Sequence, residues 1–341
     1  SQTQLNNLNS AQFASLSTAQ TRALTTGQLG ALSTRLISVI RTDQLSNLSS
    51  AQILAMNSAQ LAGFNSSQIA AMTTEHFSKL GTAQMAGLSS AQIASMETSD
   101  LVQLTSAQLP KLSTSQLQGL NMAALTTAQL NSLNGTLVAA LNTAQINALR
   151  TDQAQALTSD QLGALTTTQI ATLTTDSWTN LSTAQLKGLK SGQLSAISTG
   201  KLSVLNSDQL SSLSSAQLSG FSTGQIALLS SDQLAAFTSN QLNSLSSAQL
   251  LALSTGQLQV LATDRIAALS SAQIASLNTA QIANLTTDQA VALTSSQLAA
   301  LNTSQVVALR TDALSLMATS SLRGLKSNQI SALTLDQVDV L

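Results

Sequence analysis

A period of eight constrains this chain more than any other feature. From Leu269 it reads LSSAQIAS LNTAQIAN LTTDQAVA LTSSQLAA LNTSQVVA, and the same octad can be followed through the whole sequence. A short fixed period implies a repeat architecture, in which each unit is too small to close a core of its own and must lean on others. With Leu269 at position a, the pattern is L-[STN]-[ST]-[ADGS]-Q-[LI]-x-[small]. Position a is apolar from Leu8, Leu16 and Leu24 through Phe64, Met72 and Phe221 to Leu333 and Leu341. Position f is nearly as strict, with Thr21, Ala154 and Ala290 as exceptions. Gln holds e in about 33 of roughly 42 octads, and its replacements are Leu36, His76, Asp100, Leu137, Ser177, Lys201, Arg265, Ala313 and Ser321. The register breaks once, where Leu120 is followed by Asn121-Met122-Ala123-Ala124 and the pattern restarts at Leu125. The expectation is one continuous array over residues 1–341, with 1–120 and 125–341 in different phase. The break reads as a shortened repeat, or a kink or phase shift, in preference to a hinge.

Three conformations compete for eight residues. A continuous α-helix turns through about 800° per octad, so the apolar pair would drift by about 80° each time and no face would persist. In a β-strand the step from a to f is odd, which sends the second hydrophobe to the opposite side. A β-solenoid with two or three octads per coil could still use that arrangement and stands as the alternative. Against it, Ala, Leu and Gln favour helix, and Tyr is absent while Trp occurs once.

One short helix per octad explains more. Ser, Thr or Asn at b followed by Gln at e is a capping box, and the apolar residues at a and f then fall at N′ and N4 as a hydrophobic staple. Asp at d, as in Asp43, Asp152, Asp208, Asp232 and Asp288, falls at N2, where the helix dipole favours negative charge. The nearly constant Ser or Thr at c is the first helical residue, or the cap itself if the frame slips by one. Such a helix is marginal alone, being far below the roughly 12 residues that isolated helices need. Small residues at d and h, such as Ala19, Ala31, Gly63, Gly87, Ala236 and Gly324, would let successive helices approach closely. The expected fold is therefore all-α: a superhelical solenoid of very short, about two-turn helices, one per octad, with Leu and Ile from a and f filling a narrow core.

The same residues narrow the chemistry. Charged residues make up 8% of the chain and the formal net charge is -1, so the electrostatic footprint of a nucleic-acid binder is missing. Cys is absent, which excludes disulfides and thiol chemistry. Mean hydropathy is +0.19, yet polar residues interrupt every apolar stretch well before the roughly 18 residues of a membrane span; no membrane insertion is expected. His76 is the single histidine and reads as a substitute in the Gln position, without the partners that a catalytic base or metal site requires. Trp178 reads as core filler, and Pro110, at g, should perturb one helix end. Singly placed Lys and Arg, at b in Arg41, Arg150, Lys190, Arg310 and Lys326, read as solvated charge. No catalytic, cofactor-binding or metal-binding residue is assigned, and no enzyme activity, cofactor or small-molecule substrate is expected.

The L-[ST]-[ST]-x-Q-[LI]-x-x tandem resembles the octad arrays of very large secreted or cell-surface proteins of Gram-negative bacteria, often described as adhesin-like or haem-utilisation-like. The resemblance covers the whole chain and implies an extracellular or cell-surface setting with a structural or adhesive role. One His and six Met provide no paired ligand set for haem. The expected function is a stalk, spacer or filament building block of the cell surface or biofilm matrix, associating end to end or continuing a longer array. The alternative is a module that binds ice or polysaccharide through a regular Ser/Thr lattice at c.

Overall fold

The computed structural model describes residues 1–341. It contains 41 α-helices, two 3-10 segments and no strand, so the helical reading holds and the β-solenoid does not. The chain forms two compact units, Ser1–Leu173 and Thr174–Leu341, and each is built by the same local rule.

The octad beginning at Leu269 shows that rule. Its helix runs Ser271–Ser276 with Ser270 as N-cap. The Gln273 backbone N–H donates to Ser270 Oγ at 3.2 Å, and the Ser270 N–H donates to Gln273 Oε1 at 3.0 Å. Position b is therefore the cap and c the first helical residue, which settles the frame. At Arg41, Gly81, Arg150, Lys190 and Lys326 the b side chain offers no acceptor, and only the bond from its backbone N–H to the Gln carbonyl oxygen remains.

The helix ends without a left-handed residue; none occurs in the chain. Instead Leu277 donates its N–H to the Ile274 carbonyl at 3.2 Å, and Leu277 and Asn278 are both extended, at φ/ψ of -65°/145° and -79°/169°. Two residues of every eight thus form the corner. That is why the helices are only 4–6 residues long, shorter than the two turns expected and roughly 6–9 Å in length.

Residues a and f are buried along most of both units, with Ile330, Val338 and Leu341 in the last octads exposed. The exceptions at f follow the rule by position: Thr21, Ala154 and Ala290 are all buried, and Thr21 satisfies its hydroxyl on the Ser17 carbonyl at 3.1 Å. Trp178 is fully buried beside the small Ser177, as its role of core filler requires.

Packing joins helices that are three elements apart. Ser271–Ser276 lies on Ser295–Ala300, Gly135–Ala139 on Ser159–Ala164, and Thr287–Val291 on Thr311–Leu316. Each unit is therefore a solenoid whose coil takes between three and four octads, and the closest approach is between stacked coils, where successive helices had been expected. Small residues at h serve that approach. A Cβ added to Gly119 would stand 2.1 Å from the Ser90 carbonyl oxygen, and one added to Gly324 the same distance from that of Ser295. Position d has no such part: Ala19 is exposed, as is Ala31 at h.

Two irregularities test the rule. In the octad from Leu104, Pro110 cannot donate a helical N–H, and the α-helix gives way to a 3-10 turn over Leu109–Lys111. The disturbance thus takes the whole helix and not one end alone. At the register break, Met122–Ala124 is also a 3-10 turn. Met122 and Leu125 are buried there as f and a, so residues c, d and e are what the short repeat lacks. The break is a shortened repeat inside the first unit.

The glycines give a direct check on the stacking. Gly119→Ala forces a methyl into the Ser90 carbonyl and should destabilise by about 1–3 kcal/mol, whereas Gly256, with nothing within 4 Å of its added Cβ, should gain up to about 1 kcal/mol as Ala. Urea unfolding of the two variants measures both signs; equal effects would rule out coil contact at h.

Candidate functional site

The most regular polar feature of the molecule is the Gln side chain at e, which uses both ends of its amide. Its Oε1 closes the capping box within the octad. Its Nε2 crosses to the preceding coil and donates to the backbone carbonyl of a and to that of f or g found there. Gln241 accepts from the Thr238 N–H at 2.8 Å and donates to Leu210, Ser211 and Leu213 carbonyls at 3.1, 3.1 and 2.8 Å. Gln60, Gln92, Gln116, Gln161, Gln217 and Gln297 make the same pair of reaches, to carbonyls 31 and 28 residues earlier. Across the register break the separations fall to 28 and 25, as Gln129 bonds Leu101 and Leu104, while Gln153 reaches Met122 and Leu125. The spatial partners are conserved although three residues are missing.

This clamp was not foreseen from the sequence, which accounted for only half of the Gln. A signal existed: the capping box accepts Glu as readily as Gln, yet no octad carries Glu at e. A carboxylate can close the box but has no proton to donate to carbonyls.

The substituted positions show what the clamp demands. His76 reproduces it with an imidazole: Nδ1 accepts from the Thr73 N–H at 3.2 Å, and Nε2 sits 2.9 Å from the Leu48 carbonyl. That arrangement requires the neutral ring with its proton on Nε2, and burial holds the imidazole below its ordinary range. Asp100 closes the box from the Glu97 N–H at 3.2 Å and reaches no carbonyl behind it; burial raises its carboxyl above the usual range. Arg265 has Nη1 buried without a partner, and so has Trp178 its Nε1.

The charged surface is more ordered than solvated charge implies. Three octads carry Arg-Thr-Asp at b, c and d, and in each the Arg pairs with the Asp two residues on: Arg41 with Asp43 and Arg150 with Asp152 at 3.0 Å, and Arg310 with Asp312. The guanidinium hydrogen bond holds all three carboxyls below their usual range. Arg41 and Arg150 also donate to the Ala14 and Ala123 carbonyls of the coil behind.

The c hydroxyls, the candidate lattice, are partly engaged between coils. Ser207 donates to the Asp232 carbonyl at 3.4 Å, Ser215 to that of Asn240 at 3.2 Å, and Thr287 to the Asp312 carboxylate at 3.0 Å. A shallow, open cleft of 410 Å³ is lined by Thr18, Ala19, Arg22, Ala23 and Asn47, a set without a nucleophile and base in partnership. No three His, Cys, Asp or Glu side chains are grouped to hold a metal ion, and no helix is long and apolar enough to cross a membrane.

These features define the class: an all-α tandem-repeat solenoid protein. The family model of the ALTTAQ repeat matches residues 2–34, 37–74, 93–121, 122–159, 138–175, 202–239 and 260–295. The matches tile more than half of the chain, which belongs to the ALTTAQ repeat family. No curated protein matches it.

Two outcomes are expected of the clamp. Gln241→Ala takes the Gln partner from the Thr238 N–H and the buried Leu213 carbonyl, and one of two partners from the buried Leu210 carbonyl, and should cost about 2–4 kcal/mol; a urea titration showing less than about 0.5 kcal/mol would contradict a clamp role. For His76, the unfolded ring gains its proton near pH ~6.5 and the buried ring only at lower pH. Stability is therefore complete above that value and declines as pH drops through the interval between the two. His76→Gln should match the wild type near pH ~8 and exceed it near pH ~5, and parallel pH profiles for the two proteins would refute the assignment.

Proposed function

We propose that this protein is a structural element whose product is length: a stalk, spacer or filament building block of the bacterial cell surface or extracellular matrix, without enzymatic activity. The observation that carries the proposal is the constancy of the Gln clamp. Within each unit, as at Gln60, Gln169, Gln257 and Gln337, the amide reaches the a carbonyl of the coil behind and the f or g carbonyl beside it, so coils add to coils by one rule and each addition extends the array. The buried Gln amides, the most regular polar groups of the array, are engaged in this task. The exposed remainder is mostly hydroxyl and amide, as a neutral fibre requires. The resemblance to surface-protein octad arrays supports the extracellular, adhesin-like setting.

The same rule supports self-association. Every coil offers donors on one side and carbonyls on the other, so contact between copies is head-to-tail and heterologous, the type that continues into filaments. For the lattice alternative, the spacing is unfavourable. Stacked helices lie about 8–10 Å apart, roughly twice the 4.7–4.9 Å of stacked strands, and several c hydroxyls already bond the neighbouring coil.

A spacer should tolerate removal of whole octads. Deleting residues 237–292, seven octads in one register, should leave helical circular dichroism per residue unchanged and shorten the particle in negative-stain electron microscopy. Loss of folded structure on this deletion, or unchanged particle length, would defeat the spacer reading. Association that does not grow with protein concentration in light scattering would remove the filament role and leave the stalk.

A further inference from the structure

The titratable residues are not spread evenly through the first unit. The chain's only histidine and both of its glutamates lie in the octads 72–79 and 96–103, together with Asp100. The helices of these octads, Thr74–Lys79 and Thr98–Leu101, pack directly on each other in consecutive coils. Both members of the e position are buried here, and both are groups whose donor capacity depends on a proton: His76 and Asp100.

Octad 72–79 is thereby joined to its two neighbours by opposite chemistry. Downward, His76 Nε2 holds the Leu48 carbonyl at 2.9 Å while Nδ1 accepts from Thr73. This joint is complete only when the imidazole is neutral, because a doubly protonated ring cannot accept the Thr73 N–H. Upward, Asp100 stands where a Gln would donate to the carbonyls 28 and 31 residues behind it, those of Met72 and Ile69. An ionised carboxylate only accepts, so at neutral pH this joint has the box bond from Glu97 and no clamp. A protonated carboxyl gains one O–H donor, enough for one carbonyl of the pair. The surrounding charges are few: Glu75, Lys79 and Glu97 on the two octads themselves. Ser50–Leu54 beneath and Thr127–Ser132, whose Gln129 bonds Leu101 above, carry no titratable side chain.

We propose that octad 72–79 is a pH-responsive joint in the solenoid, in which acidification breaks the Thr73-to-His76 capping bond, leaving Nε2 on the Leu48 carbonyl, and closes a carboxyl-to-carbonyl bond from Asp100 to Met72. The proton balance is simple: one proton added at His76 Nδ1 displaces the Thr73 N–H, and one added to the Asp100 carboxyl becomes the bridging hydrogen. The directions in which burial shifts the two groups agree with this, since each environment disfavours the charged form. The joint thus exchanges partners and does not simply melt, which would give an otherwise uniform array one place where its mechanics change with acidity.

Hydrogen exchange of the full chain, read by mass spectrometry at pH about 7.5 and about 5 and corrected for intrinsic exchange, tests the proposal. On acidification, peptides covering 73–80 should lose protection and those covering 97–104 should gain it, each by about fivefold. His76→Gln should abolish the first change alone and Asp100→Gln the second alone; both variants restore the residue type of the neighbouring octads, so both keep the fold. Wild-type changes of the same sign in both peptides, or changes that persist in the two variants, overturn the proposal.

Discussion

The solenoid depends on a single amide used twice. A helix of 4–6 residues cannot hold itself together in water, and a core of two apolar side chains per octad has no directional preference about which octad it meets. The Gln at e supplies both missing elements. Its oxygen fixes where the helix begins, and its nitrogen fixes which carbonyls lie opposite. Each hydrogen bond contributes only about 1 kcal/mol net, but a buried carbonyl left unpaired costs about 1–3 kcal/mol. Misregister between coils is therefore penalised more heavily than correct register is favoured, and the array is specific although its sequence is nearly uniform.

This division of labour explains which parts of the chain may vary. Position b can lose its acceptor, as in Arg150 or Gly81, because the bond from its backbone N–H to Gln survives. Three residues can be removed at 120–125 because Met122 and Leu125 still present their carbonyls to Gln153. Pro110 can abolish an α-helix because Gln108 still reaches Phe77 and Leu80 at 2.9 and 2.7 Å. Helix, cap and register are each expendable in one octad, and in these three cases the carbonyls of one coil still meet the donors of the next.

The elements that were legible in the sequence are those whose physics is local. Cap, box and staple join residues within one octad, so their spacing alone identified the helix and its buried face and placed its N-terminus to within one residue. Coil closure was not legible, because it depends on where Gln Nε2 lands 28 to 31 residues earlier, and no pattern inside an octad encodes that distance. One correction has this origin: the close approach at h was assigned to successive helices and belongs to stacked coils, as Gly119 over Ser90 shows. The lone arginines are exposed, as they read, and what the octad did not encode is that Arg41 and Arg150 also donate to the coil behind. Helix length was overestimated because the apolar residue at a, buried together with f, reads as part of the helical face although it is the extended corner residue.

The substituted e positions show how a structural repeat can acquire local character without leaving its fold. Gln is indifferent to pH, so an array made only of Gln clamps responds uniformly to acid. Each replacement alters one joint in its own way. Leu137 fills the space with apolar volume and forgoes the bonds, while Ser177 is a small buried residue whose hydroxyl stays on that of Thr174 at 2.9 Å. His76 retains both bonds and makes the capping bond conditional on a neutral ring, and Asp100 retains one. Because energetics in such arrays are dominated by neighbouring contacts, each effect stays within about one coil of its origin. Uniform repetition therefore sets length, and the departures from it, read at one position in eight, set where along that length the molecule differs.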